Sequence, residues 1–142
     1  KYTGLEKQKR YLSIFKSKID KTNTPKLRYR LTNKSFEEFG PSSKFDVVIF
    51  SWSVIGDFSK KDQQLILKKA YDHLHNGGIC LIDNPSKNQE YNKHGTYLPT
   101  LFYYDDWVKV FEKIGFLHSQ KIYKTKTKVE RELTILKKIV LN

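Results

Sequence analysis

The polar side chains best placed for ligand chemistry sit in two short runs, Ser51-Trp52-Ser53 and Asp83-Asn84. Each run directly follows an apolar stretch, Phe45 to Phe50 and Ile79 to Ile82. Hydroxyls, a carboxylate and a carboxamide offer both donors and acceptors. At the carboxyl ends of parallel strands, such groups face the crevice where α/β sheets bind their ligands.

The elements that must position them are legible from residues 44 to 83. Phe45 to Phe50 is almost wholly apolar after Asp46, as expected of a strand buried on both faces. Ser59 is a helix cap, with Asp62 three residues on as its capping-box partner. Leu67, Ala70, Tyr71 and Leu74 then share one helical face. Asn76-Gly77-Gly78 supplies a left-handed stop, and Ile79 to Ile82 is a second, short buried strand. A strand, a helix and a strand with short links predict a parallel crossover.

Around this unit, residues 1–5 read as the end of a strand with Glu6 at its tip. Residues 7–19 form an amphipathic helix with Leu12, Phe15 and Ile19 on one face. Residues 27–32 alternate like a strand near a sheet edge, and Phe36 and Phe39 lie in a short turn region. Asp105 or Asp106 starts a helix burying Trp107, Val110, Phe111 and Ile114, which stops at Gly115. Residues 117–123 and 132–140 are two further strands, with a polar hairpin turn at 124–131.

The chain has 142 residues, 38% of them hydrophobic and 14% aromatic, enough for one domain with a core. No apolar run approaches the roughly 18 residues of a membrane span. The lone Cys80 falls in a predicted buried strand, so it reads as a core residue and a disulfide framework is excluded; a reducing cytoplasm is its natural setting. His73, His75, His94 and His118 have no metal-ligand spacing, and no metal is expected. Net charge is +12. Nucleic acid is one partner class this admits, and Lys121, Lys124, Lys126 and Lys128 cluster in the last hairpin. The plainer reading is solvated faces, since lysines populate every helix and far outnumber the arginines that favour base reading.

In the order of these elements the chain resembles the class I S-adenosylmethionine-dependent methyltransferases. FDVVIFSWS and YDHLHNGGICLID carry most of the resemblance, and it covers essentially the whole chain. It implies an α/β, Rossmann-like, doubly wound and mostly parallel sheet closed by an antiparallel hairpin, with S-adenosylmethionine as cofactor. It places Glu6 on the ribose hydroxyls, Asn33, Ser35 and Phe36 near the adenine, and Ser51 beside the cofactor. The family's first strand and glycine-rich loop have no counterpart among the seven scattered glycines. Together with the absence of methionine, this orders three cases: a fragment of a longer enzyme, a split enzyme whose missing strand comes from a second chain, and a non-catalytic methyltransferase-like binding module.

W-S-V-I-G-D-F and I-D-N further resemble protein N-terminal α-amine methyltransferases, which implies Trp52 in an acceptor channel and Asn84 holding the amine. An amine acceptor must lose a proton, and Asp57 and Asp83 are the candidate acid–base groups. The competing readings are a strand-end carboxylate holding amides for Asp83, and a solvated acid near a helix start for Asp57. Tyr97 belongs to a segment that often covers the acceptor pocket in this family. The acceptor itself, whether small molecule, peptide or RNA, is not specified by these residues.

Overall fold

The computed structural model describes residues 2–21, 29–40, 44–51, 53–87 and 102–139. The chain divides into two compact units, Lys1–Pro41 and Ser42–Asn142.

The first unit pairs β1 (Tyr2–Leu5) with β2 (Tyr29–Thr32) in parallel, Gly4 opposite Leu31. Between them runs α1 (Lys9–Lys21), two residues later than the apolar spacing implies. The shift has a local cause: Glu6 Oε1 accepts the Gln8 N–H at 2.8 Å, so residues 6–8 form the helix lead-in. No α1 residue is fully buried, and Phe15 is 38% exposed.

In the second unit β3 (Phe45–Phe50), β4 (Leu74–Pro85), β5 (Phe116–Lys124) and β6 (Glu130–Lys138) form one sheet in the order β3-β4-β6-β5. β3 and β4 are parallel, and β4–β6 and β6–β5 are antiparallel. A 3-10 turn, Val54–Asp57, leads from β3 towards α2 (Lys60–His73). The final helix is α3 (Tyr104–Ile114). Parallel β1–β2 and β3–β4 pairs and a C-terminal antiparallel hairpin are the α/β arrangement expected.

The α2 cap forms as the sequence predicts. Ser59 Oγ accepts the Asp62 N–H and donates to Asp62 Oδ2 at 2.6 Å. At the other end Gly77 is left-handed as predicted, at φ 77°, but the helix ends before it. α2 stops at His73, and Leu74 is already extended. Asn76-Gly77-Gly78 lies within β4, where the β3–β4 register shifts between the Phe45–Leu74 and Val47–Ile79 pairs. Gly78 is needed there for space, because a Cβ would stand 2.9 Å from the His75 carbonyl oxygen and 3.1 Å from that of Asp46. A side chain from another strand replaces the expected glycine cap. Lys138 Nζ, on β6, donates to the Tyr71 and Leu74 carbonyl oxygens at 2.9 and 3.1 Å. It also sits 4.4 Å from the Tyr71 ring centre, so a cation meets the negative end of the helix.

Both helices of this unit lie on one face of the sheet. Lys138 reaches α2 from that face, and Glu132 and His118 reach α3 from it. Cys80, Ile82 and Leu136 are fully buried beneath them, with Ile66, Leu67, Ala70 and Phe111. Phe102 stacks on Trp107 at 5.0 Å. The opposite face carries Val47, Ile49, Ile79, Leu81, Leu133 and Ile135. Val47 and Ile49 are 44% and 60% exposed, so β3 is not buried on both faces as its composition predicts. Burial shifts the ordinary chemistry of two groups on the covered face: the Cys80 thiol is pushed well up, and Lys138 is drawn below the usual amine range.

The β5–β6 turn is shorter than predicted, Thr125 to Val129, closed by Thr125 N–H to Val129 O at 2.9 Å. Lys128 occupies the left-handed region at φ 63°, where glycine is the default. Lys128→Gly should therefore stabilise the protein by about 1 kcal/mol, and Ser59→Ala should cost about 1 kcal/mol. Urea unfolding followed by circular dichroism checks both signs.

Candidate functional site

At the carboxyl end of β1, Glu6 stands where expected, its Oε1 taking the Gln8 N–H and its own N–H bonding the Thr32 carbonyl oxygen. Asn33 follows β2. Its Nδ2 donates to the Glu6 and Lys7 carbonyl oxygens at 2.9 and 2.7 Å, which ties the two strand tips together and leaves the amide oxygen as the group to offer a ligand. Ser35 is occupied locally. Its N–H donates to Glu38 Oε2 at 3.0 Å and its Oγ accepts the Glu38 N–H at 3.4 Å. Hydrogen bonds to the carboxyl from the Ser35 N–H and hydroxyl hold Glu38 below its ordinary range, and Lys7 and Lys34 add to this. Phe36 is half-buried in the following turn.

In the second unit the carboxyl ends of β3 and β4 are locked by a residue that sequence analysis did not select. Arg131, on β6, is almost fully buried. Its Nε donates to Asp83 Oδ1 at 2.7 Å and its Nη2 to the Asp83 carbonyl oxygen at 3.2 Å and to Ser53 Oγ at 3.4 Å. The Tyr123 hydroxyl, on β5, donates to the same Asp83 oxygen at 2.9 Å. Burial and this bond raise the Tyr123 pKa, and Asp83 raises that of Arg131 against the effect of burial. Ser53 is left-handed, at φ 62°, and its N–H donates to the Asp83 carbonyl oxygen at 2.8 Å. A strained backbone at a strand end is held in one geometry by an ion pair, as a wall beside the strand ends. Asp83 thus serves in a guanidinium–phenol network, a role neither sequence reading assigned it. Ser51 is exposed beside this wall, and Asp57 is exposed at the end of the 3-10 turn. Trp52 and Tyr97 lie outside the described residues.

Asp83 and Asn84 do not act on one surface. Successive strand residues point to opposite faces, so Asp83 shares a face with its partner Leu133 while Asn84 pairs with Glu132 beneath the helices. Asn84 is 1% exposed, and its Nδ2 has no hydrogen-bond partner. Beside it, Glu132 Oε1 accepts the Tyr104 N–H at 2.8 Å. A carboxylate from β6 therefore caps α3, whose Tyr103 cap offers no side-chain bond. Burial raises the Glu132 pKa against that hydrogen bond. Thr134 Oγ1, two residues on, is also buried without a partner. These groups were missed because only strand register brings them together.

Two of the four histidines have defined surroundings. His73 lies in the last turn of α2, but burial and Lys69 lower its pKa. His118 Nδ1 is 2.6 Å from the Tyr104 hydroxyl. Among the described residues no three His, Cys, Asp or Glu side chains are grouped to hold a metal ion. A groove of about 470 Å³ between α2 and α3, lined by Lys61, Gln64, Leu65, Lys68, Lys113 and Ile114, contains no carboxylate or histidine and does not include the strand ends.

Two predictions test this wiring. Arg131→Met should cost about 3 kcal/mol, because it strands the Asp83 charge. The double change with Asp83→Asn should recover much of that loss in a denaturation cycle. Glu132 makes the stability depend on pH. Its folded pKa lies above the unfolded value, so its stabilising contribution is complete below the unfolded pKa and is lost as pH rises through the folded one. Glu132→Gln keeps an acceptor for Tyr104 and should stabilise the protein at pH 7 by on the order of 1 kcal/mol. The gain should shrink towards pH 4, as thermal melts across pH would show.

No protein-family model matches the sequence, and no curated protein matches it significantly. Solved structures do match. A S-adenosylmethionine-dependent methyltransferase from Clostridium acetobutylicum superposes with a TM-score of 0.74 at 13% identity, over 97% of this chain and 75% of that one. The N-methyltransferase NodS from Bradyrhizobium japonicum gives 0.73 at 6%, over 97% and 73%. A methyltransferase from Pyrococcus furiosus gives 0.69 at 20%, over 97% and 62%. The chain spans about half to three quarters of the length of such structures. At these identities the likeness is one of fold, the Rossmann-like fold of class I methyltransferases.

Proposed function

We propose, from a methyltransferase fold that extends over nearly the whole chain, that this protein acts in S-adenosylmethionine-dependent methyl transfer. The observation that carries the reading is Glu6 at the carboxyl end of β1, in a chain whose fold matches S-adenosylmethionine-dependent enzymes over 97% of its length. One solved neighbour is described with bound S-adenosylhomocysteine and 1,6-didemethyltoxoflavin, and another with bound S-adenosylmethionine. The donor set of the first unit fits such a cofactor. Glu6 uses Oε1 on the Gln8 N–H, and a carboxylate has acceptor capacity left for vicinal hydroxyls. The Asn33 amide oxygen is turned away from its two Nδ2 bonds and can accept from an exocyclic amine, with Ser35 and Phe36 beside it.

When bound, the cofactor supplies a methyl group on a sulfonium centre. The chain's own share is positioning. Arg131, through Asp83 and Ser53, fixes the carboxyl ends of β3 and β4, so Ser51 and the 3-10 turn hold one geometry. Asp83, its Oδ1 already holding two donors, orders the wall, and Asp57 is the exposed carboxylate for an acceptor proton. Trp52 and Tyr97 are proposed to contact the acceptor, and Asn84 to supply an amide donor from the covered face of β4.

Calorimetry of S-adenosylhomocysteine with the full-length protein tests the reading without requiring an acceptor. Binding is expected, and Glu6→Gln should weaken it about tenfold by removing a charged acceptor. If no heat of binding is seen at millimolar ligand, the cofactor assignment fails.

A further inference from the structure

The β5–β6 hairpin carries a charge arrangement that methyl transfer does not explain. β5 runs antiparallel to β6, and β6 antiparallel to β4, so β5 points the same way as β4. Its turn therefore extends past the row Pro85–Arg131–Tyr123, at the end where Ser53 and Asp83 sit. Lys121, Lys124, Lys126 and Lys128 are all exposed on this arm. Among the described residues, none of the four forms an ion pair. The arm's own acids turn inward instead. Glu130 accepts the Ser86 hydroxyl at 2.7 Å, and Glu132 is buried on the Tyr104 N–H.

Lys128 is the telling residue. It holds the left-handed turn position at φ 63°, where glycine would sit without strain. A lysine at that position opposes the backbone preference, and Lys124 and Lys126 add like charges on the same turn. The acid in register there, Glu130 opposite Lys124, is already engaged by the Ser86 hydroxyl, so Coulomb repulsion remains. An external polyanion relieves that repulsion. The charges are lysine ammoniums, and the hairpin's only guanidinium is committed to Asp83. Lysines act as point charges on phosphates and do not read bases bidentately.

We infer that the β5–β6 hairpin binds the phosphate backbone of a nucleic acid, presenting it at the carboxyl ends of β3 and β4. The inference stands apart from methyl transfer and does not rest on it.

The test is fluorescence anisotropy of a labelled 20-nucleotide oligouridine with the full-length protein, titrated from 50 to 200 mM salt. Four phosphate contacts on a single strand predict a log–log salt slope of about −2.8. Replacing Lys121, Lys124, Lys126 and Lys128 by glutamine should weaken binding at least about tenfold and flatten the slope. Replacing the exposed Lys60, Lys61, Lys109 and Lys113 by glutamine removes the same charge and should change binding by no more than about threefold. Lys128→Gly separates site from scaffold: it should raise stability, yet weaken binding and reduce the slope by about 0.7. Equal losses in the two quadruple variants would reduce the effect to net charge and overturn the site. Polyglutamate competing as well as oligouridine would overturn the nucleic-acid assignment in favour of an acidic protein partner. Absence of binding at 50 mM salt overturns it outright. S-adenosylhomocysteine binding, measured on the same variants, should be unchanged, so the two readings can fail separately.

Discussion

The Arg131 guanidinium is the contact on which the strand-end geometry of the second unit depends. It spans three strands: it grips the Asp83 carboxylate and carbonyl on β4, reaches Ser53 beyond β3, and is itself anchored in β6. A planar fork with fixed donors can fasten several acceptors at once, which a lysine could not do. Burying this ion pair carries a desolvation penalty. The extra bonds from Tyr123 and to the Asp83 carbonyl offset it, and the return is geometric: Ser53 is kept in a backbone conformation it would not hold alone.

A second constraint follows from putting both helices of that unit on one face. The covered face must satisfy its polar groups internally, and it does so with side chains from β6. Lys138 closes the carboxyl end of α2, and Glu132 closes the amino end of α3. Each places the charge that the helix dipole favours. The same strand therefore sets the sheet register and terminates two helices. Sheet and helices are coupled through three charged residues of one strand, Arg131, Glu132 and Lys138.

What could be read from sequence was what local chemistry fixes. Ser59 with Asp62 announced the start of α2, and Gly115 marked the end of α3. Strand types and order followed from apolar runs and turn residues. The end of α2 was misplaced because Gly77 and Gly78 look like a stop, whereas the carbonyl of Leu74 is closed by a lysine 64 positions beyond it. Asp83 and Asn84 looked like one site because they are adjacent, yet adjacency in a strand separates side chains. Arg131 could not have been chosen, since its partner lies 48 residues away and only the β4–β6 register joins them. Long-range pairing is the information a local pattern lacks. The exposure of Val47 and Ile49 was hidden for the same reason: composition shows that a strand is apolar, not which of its faces is covered.

Cys80 has a consequence of a different kind. It is the chain's single thiol, it sits in β4 between β3 and β6, and it has no exposed surface. Its depth and raised pKa leave almost no thiolate in the closed protein. Alkylation must wait for the sheet to part. The rate at which a maleimide or disulfide reagent captures this one sulfur is then a clock for opening of the strand that carries Asp83 and Asn84. The protein carries its own site-specific reporter of that motion, with no introduced label and no competing cysteine.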